Sequence, residues 1–316
     1  MPNDAPHELH LRYRPRALKD VIGQEEAIAN LNDLGKRGQF PHVTLLTGIT
    51  GTGKTTIARI YARRLKAGAR DIHEINCAED TGIDMVRDIK QRIPLSPLNG
   101  DAIVYILDEV HQISSNAQSA LLKILEEPPS HVYFFLCTTD PQKLKDTVRG
   151  RCHPAKLSAL SVGQLTMLID RVAAAEGMTI ADKARDKIIE NADGSARNAL
   201  VLLSLLIGKA DGAAQLKALA DADMKDAAIN LARTLMNKNA GWPAVAAILK
   251  ALRKNEENAE RLRQLVMGYC TSIILGGGKM EARAFVVLDE FAANDFHYSH
   301  FPGLVRACYE VVHGGG

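Results

Sequence analysis

The chain has 316 residues, with 39 basic and 37 acidic side chains, a formal net charge of +2, and 46% hydrophobic and 24% charged residues. This length and composition predict two or three domains with ordinary cores. They exclude a disordered chain, a collagen-like chain and a mini-protein held together by disulfides or metals. The balanced charge creates no global field, so any nucleic acid binding has to depend on local patches.

Cysteine usage and the absence of long apolar stretches indicate the compartment. The cysteines, Cys77, Cys137, Cys152, Cys270 and Cys308, form no C-x-x-C pair. We therefore expect reduced, buried thiols rather than a zinc ribbon or a redox motif. The first residues lack the apolar segment of a signal peptide, and no stretch approaches the ~18 apolar residues that span a membrane. These features predict a cytoplasmic protein with no membrane partner.

Short apolar runs alternate with helical patterns in the first half of the chain. The runs that predict strands are 43–47, 71–75, 102–107 and 132–138. Their rhythm is typical of a parallel sheet with crossover helices, and their nearly continuous apolar character predicts strands covered on both faces. After Leu157 the patterns are helical to the end, in two blocks separated by the Gly- and Ala-rich stretch 208–214.

Both blocks carry helix signals. Ser161 and Gln164 form a capping-box pattern at the start of the first block, which predicts about three helices there. In the second block, amphipathic segments predict helices at 227–236, 243–252, 257–275 and 282–291. The sequence therefore predicts an α/β domain at 1–157 and helical domains at 158–210 and 211–316.

The strongest motif is the G-x4-G-K-T loop at 48–55, which directly follows the first predicted strand and precedes a helical run. Glycines let such a loop curl so that successive N–H groups face a phosphate, and the helix N-terminus adds donors and the positive end of its dipole. Lys54 is then placed to reach the β- and γ-phosphates, and Thr55 to offer its hydroxyl to Mg²⁺. The other loop residues expected to bind the nucleotide are Thr50, Gly51, Thr52, Gly53 and Thr56.

Two carboxylates, Asp108 and Glu109, follow the third predicted strand. They lie at the carboxyl end of that strand, which is the edge where open α/β sheets bind ligands. Asp108 is expected to hold Mg²⁺ and Glu109 to orient the attacking water. The string 108–111 also fits a DExH helicase box, but such helicases need a second α/β domain, and none is predicted in this sequence.

A set of motifs, taken in order, resembles AAA+ clamp-loader ATPases. The segments that carry the resemblance are 12–15, 21–24, the loop at 48–55, 108–111, 121–129, 137–143, 151–152 and 194–200. The resemblance spans roughly residues 9 to 207 and is nearest to the bacterial tau/gamma type. It implies a P-loop AAA+ domain followed by an α-helical lid and an α-helical collar that oligomerises. It also implies ATP and Mg²⁺ as ligands, and a location in the bacterial cytoplasm or a phage-infected cell.

The resemblance assigns roles to further residues. Thr139 corresponds to sensor 1 and Arg197 to sensor 2, which contacts the nucleotide from the lid. Arg151 corresponds to the arginine finger, which the family donates to the nucleotide of a neighbouring subunit, where a guanidinium neutralises charge on the transferring phosphoryl group. The residues that the resemblance places beside adenine are Arg12, Tyr13, Pro15, Val21 and Ile22.

The same resemblance implies two macromolecular surfaces. In the loop at 93–98, the apolar residues Ile93, Leu95 and Leu98 correspond to the segment that enters the sliding clamp. The start of the next upstream helix corresponds to a DNA-contacting element, whose candidate residues are Thr81, Gly82, Arg87 and Lys90. The implied partners are therefore a sliding clamp, primer-template DNA and other clamp-loader subunits in a homo- or hetero-pentamer.

Three departures from the family pattern stand out. Gly150 replaces the serine before the finger arginine, so the turn loses a hydroxyl and gains backbone freedom. No cysteine module lies in the segment 66–70, and the chain lacks the long extension of the tau type, as in the compact subunits of phages and archaea. Two alternative functions remain open: a non-hydrolysing scaffold subunit of a clamp loader, and another AAA+ motor on DNA such as a branch-migration ATPase.

Overall fold

The computed structural model describes residues 8–253, 259–293 and 296–314. Its contacts divide the chain after Gln215 into two compact units, an N-terminal unit and a C-terminal unit. Within the described residues, no helix is long and apolar enough to cross a membrane.

A parallel sheet organises the N-terminal unit. Its strands are β1 (Val43–Thr47), β2 (Ala67–Asn76), β3 (Ala102–Asp108), β4 (Val132–Thr138) and β5 (His153–Lys156). The strand order is β2-β3-β4-β1-β5, and every pairing is parallel. The parallel sheet expected from the apolar runs is therefore confirmed. Because the strands run in one direction, the loops that leave β1, β3 and β4 meet at one edge of the sheet.

The edge strand β5 was not among the predicted strands. It is four residues long, contains Pro154 and pairs with β1 alone. Proline donates no ladder hydrogen bond and is tolerated at a sheet edge. A segment of this composition carries no local strand signal, so its strand conformation depends on the neighbouring β1.

Helices cover both faces of the sheet. Those of the N-terminal unit are α1 (Leu9–Arg12), α2 (Glu25–Lys36), α3 (Lys54–Arg64), α4 (Ile83–Arg92), α5 (Ser115–Glu126), α6 (Asp146–Arg149), α7 (Val162–Ala175), α8 (Asp182–Ala192) and α9 (Ala196–Ser204). One core cluster contains Phe134 with residues of α4 and α5, and the other contains Phe135 with residues of α3. Consecutive residues of β4 thus enter opposite cores, as expected for an interior strand. The capping box of Ser161 and Gln164 begins α7.

The remaining helices are α10 (Gly212–Met236), α11 (Trp242–Leu252), α12 (Ala259–Gly276), α13 (Glu281–Ala293) and α14 (Phe296–His313). The helix expected at 227–236 is the second half of α10, which begins within the Gly- and Ala-rich stretch at 208–214. Residues 212–214 of that stretch therefore form the first turn of α10, whereas 208–211 precede the helix. In α14 the backbone is kinked at His300, close to Pro302.

All the cysteines are free and buried. Burial raises the pKa of Cys77 and of Cys152 to about 12. A thiol with so high a pKa is a poor nucleophile and metal ligand, because the thiolate is the reactive form.

Candidate active site

The loop between β1 and α3 approaches the start of α9 closely. Gly51 has a φ of +80°, and a Cβ atom on it would lie 2.1 Å from Ser195 Oγ and 2.9 Å from Arg197 Cβ. Both the backbone conformation and the lack of space require glycine. The amide of Arg197 also donates to the carbonyl of Gly51, at 3.4 Å. The loop is thus held against the helix that carries the expected sensor arginine.

Lys54 is the first residue of α3, and its side chain is folded back into the loop. Its ammonium donates to the carbonyl oxygens of Gly48 at 2.9 Å and Ile49 at 3.0 Å. Burial lowers the pKa of Lys54, and the nearby carboxylates of Glu109 and Asp108 oppose that effect. The loop therefore holds a buried cation beside the amino end of a helix, where a phosphate is favoured.

Thr55 and Asp108 bring the two expected metal ligands together. The Thr55 hydroxyl donates to Asp108 Oδ2 at 2.8 Å, from the first turn of α3 to the last residue of β3. A hydroxyl and one carboxylate are hard oxygen donors, which fit Mg²⁺, since this ion is usually bound by one or two carboxylates together with substrate phosphates. The described residues contain no cluster of three or more His, Cys, Asp or Glu side chains that would make a separate protein-only metal site.

Glu109 follows β3 in a left-handed conformation, with a φ of +49°. Its carboxylate accepts a hydrogen bond from the Thr139 hydroxyl at 3.3 Å, and its side chain is 31% exposed. Thr139 directly follows β4, the neighbour of β3 in the sheet. The expected water-orienting carboxylate and the expected sensor 1 residue are therefore in contact.

One cavity collects most of the expected nucleotide-binding residues. The expected residues that line it are Tyr13, Pro15, Val21, Ile22, Thr50, Gly51, Thr52, Gly53, Lys54, Thr55, Thr56, Asp108, Glu109 and Arg197. Sequence reasoning did not single out His10, Arg14, Asp20, Ile57, Leu160, Leu168, Arg171, Ala196 and Leu200, which also line it. Of these, Arg14 lies inside the 12–15 motif and could have been identified. The leucines lie in or beside α7 and α9, where helical spacing makes them indistinguishable from core residues.

Arg12 is a correction to the expected adenine-flanking set. Its guanidinium pairs with Glu176 at 2.5 Å, and Tyr13 also donates to this carboxylate. Arg12 does not line the cavity, whereas Arg14 does. The physical reason is that the Glu176 carboxylate, at the end of α7, draws the Arg12 side chain away. Burial lowers the pKa of Arg14, and the nearby Arg59 acts in the same direction.

Arg151 lies outside the cavity of its own chain. Its guanidinium pairs with Glu126 at 2.6 Å and is 40% exposed, and it donates weakly to the Thr147 carbonyl at 3.4 Å. The side chain is therefore at the surface of the N-terminal unit. Its expected role as a finger acting on a neighbouring subunit stays a prediction.

The expected clamp-contacting loop needs one correction. Ile93 is 8% exposed and belongs to the core cluster below α4, while Leu95 is 59% and Leu98 73% exposed. Ile93 continues the apolar face of α4, and its amide donates to Ile89, one turn earlier. The loop therefore presents two apolar side chains instead of three. Its end is fixed by Asp71, which accepts from the Leu98 amide at 2.7 Å.

The expected DNA-contacting residues lie together around the start of α4. Thr81, Gly82, Arg87 and Lys90 are all exposed. Arg87 pairs with Asp84 of the same helix at 2.6 Å, and both side chains are solvent-exposed. An exposed pair of this kind contributes little stability, so the arginine can exchange its partner for a phosphate at small cost. The DNA-binding role stays a prediction.

Known proteins give four informative likenesses. A family model described as DNA polymerase III, delta subunit, matches residues 66–161. The chain is 35% identical over 222 residues to DNA polymerase III subunit tau of Salmonella typhimurium, covering 64% of this chain and 35% of the relative. It is 32% identical over 227 residues to DNA polymerase III subunit gamma of Buchnera aphidicola, covering 65% of this chain and 61% of the relative. A Thermotoga maritima RuvB structure, described as a Holliday junction branch migration motor, has a TM-score of 0.57 at 24% identity and covers 76% of this chain and 85% of that one.

The sheet order, the G-x4-G-K-T loop after β1 and the acidic end of β3 define a P-loop AAA+ fold followed by helices, and the RuvB likeness confirms that fold. The resemblance to clamp-loader AAA+ subunits, which the motifs indicated, is confirmed by the similarity to DNA polymerase III subunits tau and gamma. The chain spans 35% to 61% of the length of these two relatives.

Proposed function

We propose that this chain is an ATPase subunit of a DNA-polymerase sliding-clamp loader. The observation that carries the proposal is the 2.8 Å contact between Thr55 and Asp108, with Glu109 beside it and the buried Lys54 in the same cavity. These are the parts that phosphoryl transfer needs, because catalysis of that reaction is mostly positioning and charge stabilisation. Similarity to DNA polymerase III subunits supports the clamp-loading role.

The chain's own residues supply binding and orientation. The loop amides and Lys54 bind the triphosphate, and Thr55 and Asp108 would hold Mg²⁺. When bound, Mg²⁺ supplies positive charge that neutralises the phosphate oxygens. Glu109 orients a water and accepts its proton, for which it must remain ionised. The apolar side chains of Val21 and Ile22 enclose the adenine.

Arginines couple the pocket to assembly in this proposal. Arg197 contacts the bound nucleotide from α9, and Thr139 senses the γ-phosphate through its position beside Glu109. Arg151 acts on the nucleotide of a neighbouring subunit in a homo- or hetero-pentamer, and its surface position supports this role. ATP binding then orders the ring of subunits, and hydrolysis follows once DNA aligns the arginine with the neighbouring nucleotide.

Two surfaces would serve the macromolecular partners. Leu95 and Leu98 enter an apolar cleft of a ring-shaped clamp, and their exposure supports that contact. The start of α4, with Arg87 and Lys90, contacts the phosphates of primer-template DNA. Hydrolysis releases the clamp on the DNA. The helical segments at 158–210 and 211–316 serve as lid and oligomerising collar.

The decisive experiment measures steady-state ATP hydrolysis by the purified chain alone, with primer-template DNA, and with DNA plus the cognate clamp. We expect stimulation by DNA and clamp together. Lys54→Ala should reduce nucleotide binding and lower turnover by at least about 100-fold, since it removes the buried ammonium that would pair with the phosphates. Lys36→Ala is the matched control, because Lys36 is 78% exposed on α2. Equal hydrolysis by a strict monomer, indifferent to DNA and clamp, would contradict the proposal.

Two alternative functions can be distinguished by experiment: phosphate release tests for a scaffold subunit, and the number of subunits tests for a branch-migration motor. A non-hydrolysing scaffold would bind ATP without releasing phosphate, although it has no need for the whole set of Lys54, Thr55, Asp108, Glu109 and Arg151. A branch-migration motor would assemble as a hexamer, and native mass spectrometry separates six subunits from five.

A further inference from the structure

A buried histidine contacts the proposed water-orienting carboxylate. His111 lies in the short 3-10 turn Val110–Gln112 that follows Glu109, and its side chain is 6% exposed. Its Nδ1 is 3.3 Å from Glu109 Oε2 and 3.0 Å from Thr138 Oγ1. Its Nε2 is 3.0 Å from the side-chain nitrogen of Gln112. Both ring nitrogens therefore have polar partners.

These partners decide which nitrogen carries the proton of the neutral ring. The amide nitrogen of Gln112 can only donate, so His111 Nε2 has to accept and Nδ1 carries the hydrogen. The carboxylate of Glu109 can only accept, in agreement with a donor at Nδ1. Thr138 Oγ1 is already an acceptor, since it takes the Asp140 amide at 3.0 Å. The Nδ1 hydrogen thus goes to Thr138 Oγ1, and Nδ1 also lies 3.3 Å from Glu109 Oε2.

One oxygen of the carboxylate therefore faces two polar groups. Oε2 of Glu109 accepts a hydrogen bond from the Thr139 hydroxyl at 3.3 Å, and it lies 3.3 Å from His111 Nδ1, which is an electrostatic contact. Among the contacts of the described residues, Oε1 has no hydrogen bond. A hydroxyl donor at one oxygen, together with the positive end of a ring N–H dipole beside it, restricts the orientation of the carboxylate, and the other oxygen is the one available to take a proton from water.

We propose that His111 is a positioning residue, whose Nδ1–H orients Glu109 so that Oε1 faces the attacking water. The proposal rests on the hydrolytic function proposed above. His111 anchors the carboxylate to the end of β4 through Thr138, so the strands that carry Glu109 and Thr139 are fixed relative to each other. His111 does not line the cavity, so its effect on turnover passes through Glu109.

Two substitutions separate orientation from packing. His111→Phe keeps a buried ring without a donor, and His111→Asn keeps an N–H close to the position of Nδ1. We expect the phenylalanine variant to lower kcat by about 30-fold or more, with the dissociation constant for ATP within about 2-fold of wild type, and the asparagine variant to recover kcat to within about 3-fold. His42→Phe is the matched control, because His42 stacks on Tyr133 beside the start of β1, far from this contact along the strand. It should leave kcat unchanged.

The interaction with Glu109 is tested by a double-mutant cycle. In a Glu109→Gln background, His111→Phe should cause no further loss of turnover, because residues that act as a unit are not additive. Equal losses in the phenylalanine and asparagine variants, or additive losses in the double mutant, would overturn the proposal in favour of a packing role.

A spectroscopic readout separates this inference from the proposed function. Long-range ¹H–¹⁵N correlation spectra of the full chain report which ring nitrogen of His111 is protonated. We expect the Nδ1–H tautomer in the wild type, and a change in the Nδ1 signal in Glu109→Gln. An Nε2–H tautomer would overturn the inference even in an active ATPase. A chain that hydrolyses no ATP would contradict the proposed function. The tautomer of His111 would still show whether Nδ1 presents its hydrogen to Glu109.

Discussion

Replacing Glu260 with glutamine should destabilise the C-terminal unit at neutral pH and have little effect in strong acid. Glu260 lies in the first turn of α12, where its carboxylate is 13% exposed and faces the 17% exposed guanidinium of Arg263 at 2.7 Å. It also accepts from the Phe296 amide at 3.2 Å, and Arg263 donates to the Phe291 carbonyl at 3.0 Å. This pair therefore connects α12 with the end of α13 and the start of α14.

The size of the effect follows from the pKa of Glu260. Hydrogen bonds from Arg263 lower this pKa from 4.5 to about 2, against burial, which raises it. A depressed carboxyl pKa stabilises the folded unit above the unfolded value of 4.5, and this contribution is lost as the pH falls toward 2. At one pKa unit per ~1.36 kcal/mol, the contribution at neutral pH is roughly 3 kcal/mol. Glutamine mimics the protonated acid, so it should remove that amount at neutral pH and almost none near pH 2.

The single tryptophan provides the assay. Trp242 lies on α11 and packs against the core of the C-terminal unit, so its fluorescence during urea unfolding reports this unit alone. The comparison is made at several pH values between 2 and 7, in the full chain. Glu310→Gln, an exposed position on α14, serves as the control and should change stability by less than about 0.5 kcal/mol. A difference between wild type and Glu260→Gln that stays constant with pH would refute the reasoning.

Three further predictions concern the proposed active site and surfaces. Gly51→Ala should abolish tight ATP binding in an equilibrium titration, because its Cβ would lie 2.1 Å from Ser195 Oγ; unchanged affinity would show that the loop is not held as described. Arg151→Ala should leave ATP binding within about 2-fold of wild type and remove DNA-stimulated turnover, by at least about 100-fold; a variant with normal stimulated turnover would dismiss the finger role. Replacing Leu95 and Leu98 with serine should weaken clamp binding by about 100-fold or more, since hot-spot apolar contacts dominate such interfaces; basal hydrolysis without clamp should not change, and undiminished clamp affinity would exclude this loop as the contact.

The central strands could be predicted from the sequence because burial on both faces leaves a continuous apolar run. The runs 43–47 and 132–138 match β1 and β4 residue for residue. The strand β5 could not be predicted, since Pro154 and its neighbours have no such run and only pairing with β1 makes them a strand. Local signals therefore identify interior strands, while an edge strand depends on its partner.

In the candidate site, too, some features follow from local sequence and others depend on the fold. The G-x4-G-K-T loop and the carboxylates after β3 have fixed spacing, so their positions follow from the sequence. The burial of Ile93 could have been predicted, because it continues the apolar spacing of Met85 and Ile89 along α4. The pairing of Arg12 with Glu176 could not, since the two are far apart in sequence and only the fold brings them together.

The ammonium of Lys54 is already engaged by two carbonyl oxygens of its own loop. Under the proposed function, a triphosphate binds by exchange: its phosphate oxygens replace the two carbonyl oxygens as acceptors of the Lys54 ammonium. The loop is held against α9 by the hydrogen bond from the Arg197 amide to the Gly51 carbonyl, so little ordering entropy is lost when the nucleotide binds. When the products dissociate, the two carbonyl oxygens again accept from the Lys54 ammonium. This competition for the cation favours release of the phosphates.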